Sequence, residues 1–285
     1  MTTAASLREK RELIDRSLAD YLPEGDSKLA EAMRYAVLSG GKRFRPLLTL
    51  ASGECFGVGS RDTLPFACAI ELIHNYSLVH DDLPALDDDE LRRGQPTCHA
   101  AFGEDIALLT GDALLTLAFE IMARAPVGDR SFPARAEIMA DVARLSGAGG
   151  MIGGQLLDIS LPPAEISREE FDTLILLKTG GLITASVRIG AALGGAGGDE
   201  MDAITRYGEN LGLAFQTRDD ILDAREDSHE AGTPRPNSVV LYGEEEAARR
   251  LNRFVDGALT ALNDTGRKSE ELRFLAEFLL VRDEG

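Results

Sequence analysis

The sequence predicts an all-α protein, a single domain of roughly ten helices, and three observations carry that prediction. Apolar residues recur at helical spacing, as in Leu29, Met33, Ala36 and Val37, then Leu47, Leu48 and Leu50, and later Leu211, Ala214 and Phe215. Strand-like alternation is scarce. Turn chemistry at Ser39-Gly40-Gly41, Asp62-Thr63, Gly94-Gln95-Pro96, Ala125-Pro126, Leu161-Pro162-Pro163 and Gly194 to Gly198 cuts the chain into pieces. Most of these run about 15 to 25 residues, the length of helices joined by short connections. No repeat at solenoid periods, low-complexity tract or long linker divides the chain, so residues 1–285 read as one domain.

Composition narrows the function classes. The 285 residues hold 48 Asp and Glu against 30 Lys and Arg, with 44% apolar and 27% charged, which excludes a disordered, collagenous or stapled miniature chain. The net charge of -18 repels nucleic acid and anionic lipid, so any polyanion site must be a local cluster of Lys and Arg. Cys55, Cys68 and Cys98 share no metal-ligand spacing, and their odd number fits a reduced, cytoplasmic chain. The opening MTTAASLREKRELID places charges before any long apolar run, unlike a secretory signal or an anchor. The greasiest stretch, Leu174 to Gly195, is interrupted by Lys178, Arg188 and glycines, so no membrane span is expected.

Taken in order, the first chemical element is Ser39-Gly40-Gly41-Lys42-Arg43-Phe44-Arg45-Pro46. Gly41 and its neighbour free backbone N–H groups, and three cations within four residues suit phosphate oxygens. Gly-Gly before cations also marks ordinary helix boundaries. The second element is Asp81-Asp82-Leu83-Pro84-Ala85-Leu86-Asp87-Asp88-Asp89-Glu90, followed by Arg92 and Arg93. On a straight helix Asp81 and Asp87 would sit about 240° apart, so their joint action requires the chain to bend near Pro84. The third is Asp219-Asp220-Ile221-Leu222-Asp223, where Asp219 and Asp223 share a helix face and repel by a few tenths of about 1 kcal/mol unless a cation intervenes. Either acid run alone reads equally well as solvated surface. Together, each beside an apolar stretch, Ala69 to Ile73 or Leu211 to Phe215, they suit magnesium held at the mouth of a greasy cavity with a substrate diphosphate. Gly149, Gly150, Gly153 and Gly154 predict close helix packing or a kink, with Gln155 and Asp158 facing the cavity.

These residues resemble the trans-isoprenyl diphosphate synthase family over nearly the whole chain. The likeness rests on GGKRFRP at 40–46, IELIHNYSLVHDDLPALDDDELRRGQPT at 70–97, LLTGDALL at 108–115, GMIGGQLLDI at 150–159, LKTGGLITASVRIGA at 177–191 and FQTRDDILD at 215–223, in the family's order. The four-residue insert between Asp82 and Asp87 resembles the bacterial and plant-type enzymes. The resemblance implies an isoprenoid-synthase fold around a central cavity, a homodimer, and head-to-tail condensation of isopentenyl diphosphate with an allylic diphosphate. It implies magnesium, three ions bound with the allylic diphosphate, on Asp81, Asp87 and Asp219, with Asp82, Asp220 and Asp223 binding through water or assisting. Gly41, Lys42, Arg45, His74 and Arg93 would bind isopentenyl diphosphate, Arg92 and Lys178 the allylic diphosphate, and Thr179 and Gln216 would face the allylic cation. His80 is expected to be structural.

In this family the positions four and five before the first aspartate set product length. Here they are Ser77 and Tyr76, a small residue beside a bulky ring, which implies an early stop at the fifteen-carbon product, farnesyl diphosphate, with the twenty-carbon geranylgeranyl product as the alternative. The sequence departs from the family after the second acid run, where the segment is shortened and Thr233 replaces an expected lysine, so Arg218 or Arg235 would have to substitute. A non-catalytic partner subunit would need neither acid motif intact. A terpene cyclase would not need the cations at Lys42, Arg45 and Arg93.

Overall fold

The computed structural model describes residues 2–125, 132–160, 166–226 and 236–281. Among them the chain is all-α, with fourteen α-helices, one π turn, one 3-10 turn and a two-stranded ribbon of two residues per strand. It divides into two compact units, Met1–Leu50 with Gly59–Met139, and Ala51–Val58 with Ala140–Gly285.

The first unit carries α1 (Thr3–Tyr21), α2 (Lys28–Leu38), most of α3 (Phe44–Cys55), α4 (Ser60–Asp81), α5 (Cys98–Phe102) and α6 (Glu104–Arg124). Thr2 and Ser27 cap α1 and α2 by accepting from the amides of Ala5 and Ala30, which satisfies donors that a helix start leaves open. α1 buries Leu7, Ile14 and Leu18, one stripe at helical spacing. α4 is buried on every side, from Phe66 and Cys68 through Ile70, Leu72 and Ile73 to Val79, so no single apolar face can be read from it.

The second unit carries the C-terminal part of α7 (Phe132–Ser146), then α8 (Met151–Ser160), α9 (Arg168–Ile175), a π turn (Leu176–Gly180), α10 (Gly181–Leu193), α11 (Gly198–Glu226), α12 (Ser238–Tyr242), α13 (Glu244–Asp264) and α14 (Glu270–Glu277). α9 starts with a reciprocal capping box in which Ser167 accepts from the amide of Glu170 and Glu170 accepts from that of Ser167. The predicted close packing of the glycine run is present. A Cβ on Gly150 would lie 1.9 Å from the Leu145 carbonyl oxygen, and one on Gly154 would lie 2.3 Å from the backbone nitrogen of Lys178, which presses α8 onto the π turn.

Two of the helices beyond the roughly ten expected have a local origin. Gly103 (φ 95°) and Gly243 (φ 81°) adopt left-handed backbone and split off the five-residue helices α5 and α12 from α6 and α13. Among the described residues two helical stretches, Glu104–Arg124 and Arg168–Leu193, are long and apolar enough to cross a membrane by length and composition alone. The second is largely buried as core of its unit, whereas α6 leaves Leu108 and Leu109 about half exposed.

Candidate active site

The cationic loop between α2 and α3 is held by a buried ion network. Arg43 is only 3% exposed and adopts left-handed backbone (φ 51°). Its Nε donates to Asp15 Oδ1 at 2.8 Å, Nη1 to Glu71 Oε1 at 2.8 Å and Nη2 to the Val37 carbonyl at 2.8 Å, so α1, α2 and α4 all grip one guanidinium. The two flanking cations are thereby set: Lys42 is exposed, and Arg45 lies with Nη1 3.4 Å from His74 Nε2. A guanidinium can only donate, so His74 Nε2 must accept, which requires neutral imidazole. Burial first, and then the positive charges of Arg45, Arg93, Arg92 and Arg43, hold His74 well below its usual pKa, consistent with that tautomer.

The ribbon Leu91–Arg92 with Gln95–Pro96 brings Arg93 onto the same loop. Its two-residue turn, Arg93 (φ 53°) and Gly94 (φ 75°), has the two left-handed residues of a type I′ hairpin. Arg93 Nη1 donates to the Gly40 carbonyl. Gly41 (φ 144°) leaves the space, because a Cβ there would lie 2.9 Å from Arg93 Nη1.

The first acidic motif bends as its composition predicts. α4 stops at Asp81, the chain turns through Pro84, and the Asp87 amide donates to the Asp81 carbonyl at 2.9 Å, which brings the two residues together. Both are half-buried. Asp82 is 3% exposed and faces inward, its Oδ1 accepting from Arg92 Nε at 2.8 Å and also from Nη2, while Oδ2 lies 3.0 Å from the same Nε. Arg92 therefore arrives already paired. His80 is structural, as expected: Nε2 lies 3.0 Å from the Leu108 carbonyl, and its ring fills the place where a Gly111 Cβ would sit 2.0 Å from Nε2. That contact accounts for the glycine of LLTGDALL.

Tyr76 is 6% exposed and packs edge-on against His80, 5.7 Å between ring centroids. Burial and the charge of Asp81 push its phenol up to about 12. Ser77 is half-buried and its hydroxyl donates to the His74 carbonyl at 2.9 Å.

In the second unit Lys178 and Thr179 lie on the π turn, an element frequent at functional sites because it redirects side chains within a helix. Lys178 Nζ pairs with Asp158 Oδ2 of α8, so this cation too is held by a carboxylate. Gln155, one turn earlier, buries both amide atoms. The Thr179 hydroxyl donates to Gln216 Oε1 at 2.8 Å, and Gln216 Nε2 donates to Asp220 Oδ1 at 2.9 Å. Asp219 is half-buried and Asp223 exposed, one turn apart on α11. Arg218 is 4% exposed with its guanidinium 5.4 Å from the centre of the Phe278 ring, so it packs against the C-terminal turn. Thr233 and Arg235 fall outside the described residues.

The half-buried carboxylates of Asp81 and Asp87 are hard oxygen donors of the kind that magnesium takes. Among the described residues no three His, Cys, Asp or Glu side chains cluster tightly enough to hold an ion by themselves. Magnesium commonly takes one or two carboxylates and completes its shell with phosphate and water. Motif spacing alone does not reveal Arg43 as a structural anchor or Glu71 as its partner. Glu71 had a signal, since a carboxylate inside the apolar run Ala69 to Ile73 must find a cation.

A polyprenyl synthetase family profile matches residues 26–236. The farnesyl diphosphate synthase of Escherichia coli (strain K12) is 38% identical over 98% of this chain and 97% of its own. The large subunit 1 of the chloroplastic heterodimeric geranylgeranyl pyrophosphate synthase of Arabidopsis thaliana is 40% identical over 96% of this chain and 77% of its own. The apo crystal structure of an FPP/GFPP synthase from Zymomonas mobilis superposes with a TM-score of 0.87, at 36% identity, covering 98% of this chain and 99% of that one. With the motifs in order and the fold alike throughout, the chain belongs to the polyprenyl synthetase family.

Proposed function

We propose that residues 1–285 act as one short-chain trans-prenyltransferase domain, which joins isopentenyl diphosphate head-to-tail to dimethylallyl and then geranyl diphosphate to give farnesyl diphosphate. The observation that carries this reading is the arrangement in the first unit, where a folded-back aspartate turn, Asp81 with Asp87, accompanies a braced cationic loop presenting Lys42, Arg45, His74 and Arg93. A terpene cyclase uses one diphosphate and has no need of that loop.

Asp81 and Asp87, and in the second unit Asp219 and Asp223, would hold magnesium with the allylic diphosphate, while Asp82 and Asp220 serve from behind. Magnesium, when bound, stabilises charge on the departing diphosphate. The chain's own residues do the rest. Lys42, Arg45 and Arg93 hold the isopentenyl diphosphate as cations, and neutral His74 gives one hydrogen bond from Nδ1. Arg92 and Lys178, prealigned by Asp82 and Asp158, take the allylic diphosphate as it departs. Thr179 and Gln216 face the allylic carbon. Its cation must meet the alkene before water does, so orientation and exclusion of water matter as much as charge. The proton lost from the new chain passes to diphosphate, so no side-chain base is assigned.

Tyr76, a buried ring five residues before Asp81 and next to Ser77, favours the fifteen-carbon product. Geranylgeranyl diphosphate is the second reading, because relatives named for either product match at similar identity. We assign a homodimer to the apolar side chains that each unit leaves open, Leu108 and Leu109 on α6 and Ile152, Leu156 and Ile159 on α8. Three free thiols suit a cytoplasmic setting.

The test is product analysis with magnesium, isopentenyl diphosphate and each of dimethylallyl, geranyl and farnesyl diphosphate. Farnesyl diphosphate from the two shorter starters, with farnesyl itself left unextended, is expected. Efficient extension of farnesyl diphosphate would move the assignment to the twenty-carbon product, and diphosphate release independent of isopentenyl diphosphate would contradict the synthase reading.

A further inference from the structure

The Asp220 carboxylate is 6% exposed and both of its oxygens are engaged inside the second unit. Oδ1 accepts from Gln216 Nε2 at 2.9 Å, and Oδ2 accepts from the Ser238 backbone N–H at 2.7 Å, at the start of α12. A carboxylate accepts and does not donate, so the Gln216 amide must turn its NH2 toward it. That leaves Gln216 Oε1 toward Thr179, whose hydroxyl has to donate, at 2.8 Å. A hydroxyl that spends its one proton inward keeps its lone pairs for whatever lies on its other side.

Steric contacts keep this relay in register. Gln216 and Asp220 are one turn apart on α11. One turn before Gln216, Gly212 touches the π turn so closely that a Cβ would lie 2.5 Å from the Gly180 Cα. Thr179 is therefore carried to Gln216 by backbone contact rather than by the reach of a long side chain.

We propose that Asp220 is a positioning residue whose role is to fix the polarity of the Gln216 amide, so that Gln216 and Thr179 both present oxygen lone pairs to the positive charge of an ionising allylic substrate. Without the carboxylate the amide can turn over, its NH2 meets Thr179, the hydroxyl accepts, and its proton points outward. An acceptor array becomes a donor array at the site of a developing cation, with the fold unchanged.

The inference rests on the prenyl-transfer reading in its kinetic arm only. Asp220→Asn keeps the shape but has one acceptor and one donor end. Satisfying Ser238 with its oxygen turns its NH2 toward Gln216 and flips that amide. The single-turnover rate should fall about tenfold or more with KM for both diphosphates within about twofold, the pattern of a misdirected dipole. Gln216→Glu alone should fall similarly, since two carboxylates then face each other. The charge-neutral swap Asp220→Asn/Gln216→Glu restores a donor facing an acceptor and leaves an oxygen for Thr179. It should recover to within about threefold of the parent, a rescue that a merely structural role would not give. A swap no faster than the slower single variant overturns the proposal. The side-chain amide proton signals of Gln216 read the orientation whether or not the protein turns over. They should report a hydrogen bond to the Asp220 carboxylate in the parent that Asp220→Asn replaces with one to the Thr179 hydroxyl, and unchanged signals would overturn the proposal even in an active enzyme. A parent without turnover but with the expected amide signals would count against the function and not against the relay.

Discussion

Both acidic motifs bury their second aspartate, but by different chemistry. Asp82 is met by a guanidinium, with Arg92 making short contacts to both oxygens, whereas Asp220 is met by two neutral donors, a side-chain amide and a backbone N–H. An ion pair compensates charge and sets where a cation stands. Neutral donors compensate less charge but transmit direction, because an amide has a donor end and an acceptor end. The first brace therefore positions Arg92 as a cation, and the second orients Gln216 as a dipole. In each motif the first aspartate, Asp81 or Asp219, is half-buried beside its inward-facing neighbour.

The largest effects are expected at the first aspartates. Asp81→Ala and Asp219→Ala should each lower kcat on the order of 10³-fold, with circular dichroism unchanged, since each removes charge needed at the departing diphosphate. A loss confined to one motif would mean that the two are not equivalent in catalysis.

Next come the braces, read by denaturant unfolding. Asp82→Ala strands Arg92 beside a buried face and should cost about 2–4 kcal/mol, toward the low end because the Arg92 side chain is about a third exposed. Asp220→Ala leaves two neutral donors without acceptors and should cost about 1–3 kcal/mol. Equal costs would mean that the ionic character of the first brace contributes nothing.

Product length sharpens the contrast, because the floor residues lie with the first motif on α4. Tyr76→Ala should shift the main product from fifteen carbons to twenty or more in chromatography of the dephosphorylated alcohols, while Asp220→Asn should leave the chain length unchanged. An unaltered product from Tyr76→Ala would remove Tyr76 as the floor.

The smallest effect is on pH. The folded-state pKa of His74 is depressed below the ordinary 6.5, so below that pH the unfolded chain takes up a proton that the folded site refuses. Its contribution to stability is complete above about pH 6.5 and declines toward acid. His74→Gln should flatten the stability profile between about pH 7 and 5, by at most the slope of one proton, and an unchanged profile would mean that His74 takes up its proton as readily in the fold as in the unfolded chain.

Much of this was legible in the sequence because the signals are local. The chain reversal at Asp81 and Asp87 follows from Pro84 and from two carboxylates that a straight helix would hold apart. The tight packing of Gly150 and Gly154 follows from the density of glycines between Gly149 and Gly154. The ribbon around Arg93 was not legible, since an arginine at φ 53° has no compositional signature. Neither were the partners of the buried charges. Arg43 finds Glu71 28 residues away, Lys178 finds Asp158 20 away, and Asp220 finds Ser238 18 away. Such choices are made by helix packing, which no spacing rule within one helix reports. Asp82 and Asp220, equal to their neighbours by sequence, are separated from them only by the direction in which the helix turns their side chains.

The most direct test of that division is the magnesium dependence of single-turnover condensation in four variants, Asp81→Asn, Asp82→Asn, Asp219→Asn and Asp220→Asn. The expected result is a half-saturating magnesium concentration raised about tenfold or more in Asp81→Asn and Asp219→Asn, and within about twofold of the parent in Asp82→Asn and Asp220→Asn. A shift in Asp82→Asn or Asp220→Asn as large as in its neighbour would show that the second aspartates bind metal and that the division into ligand and brace is wrong.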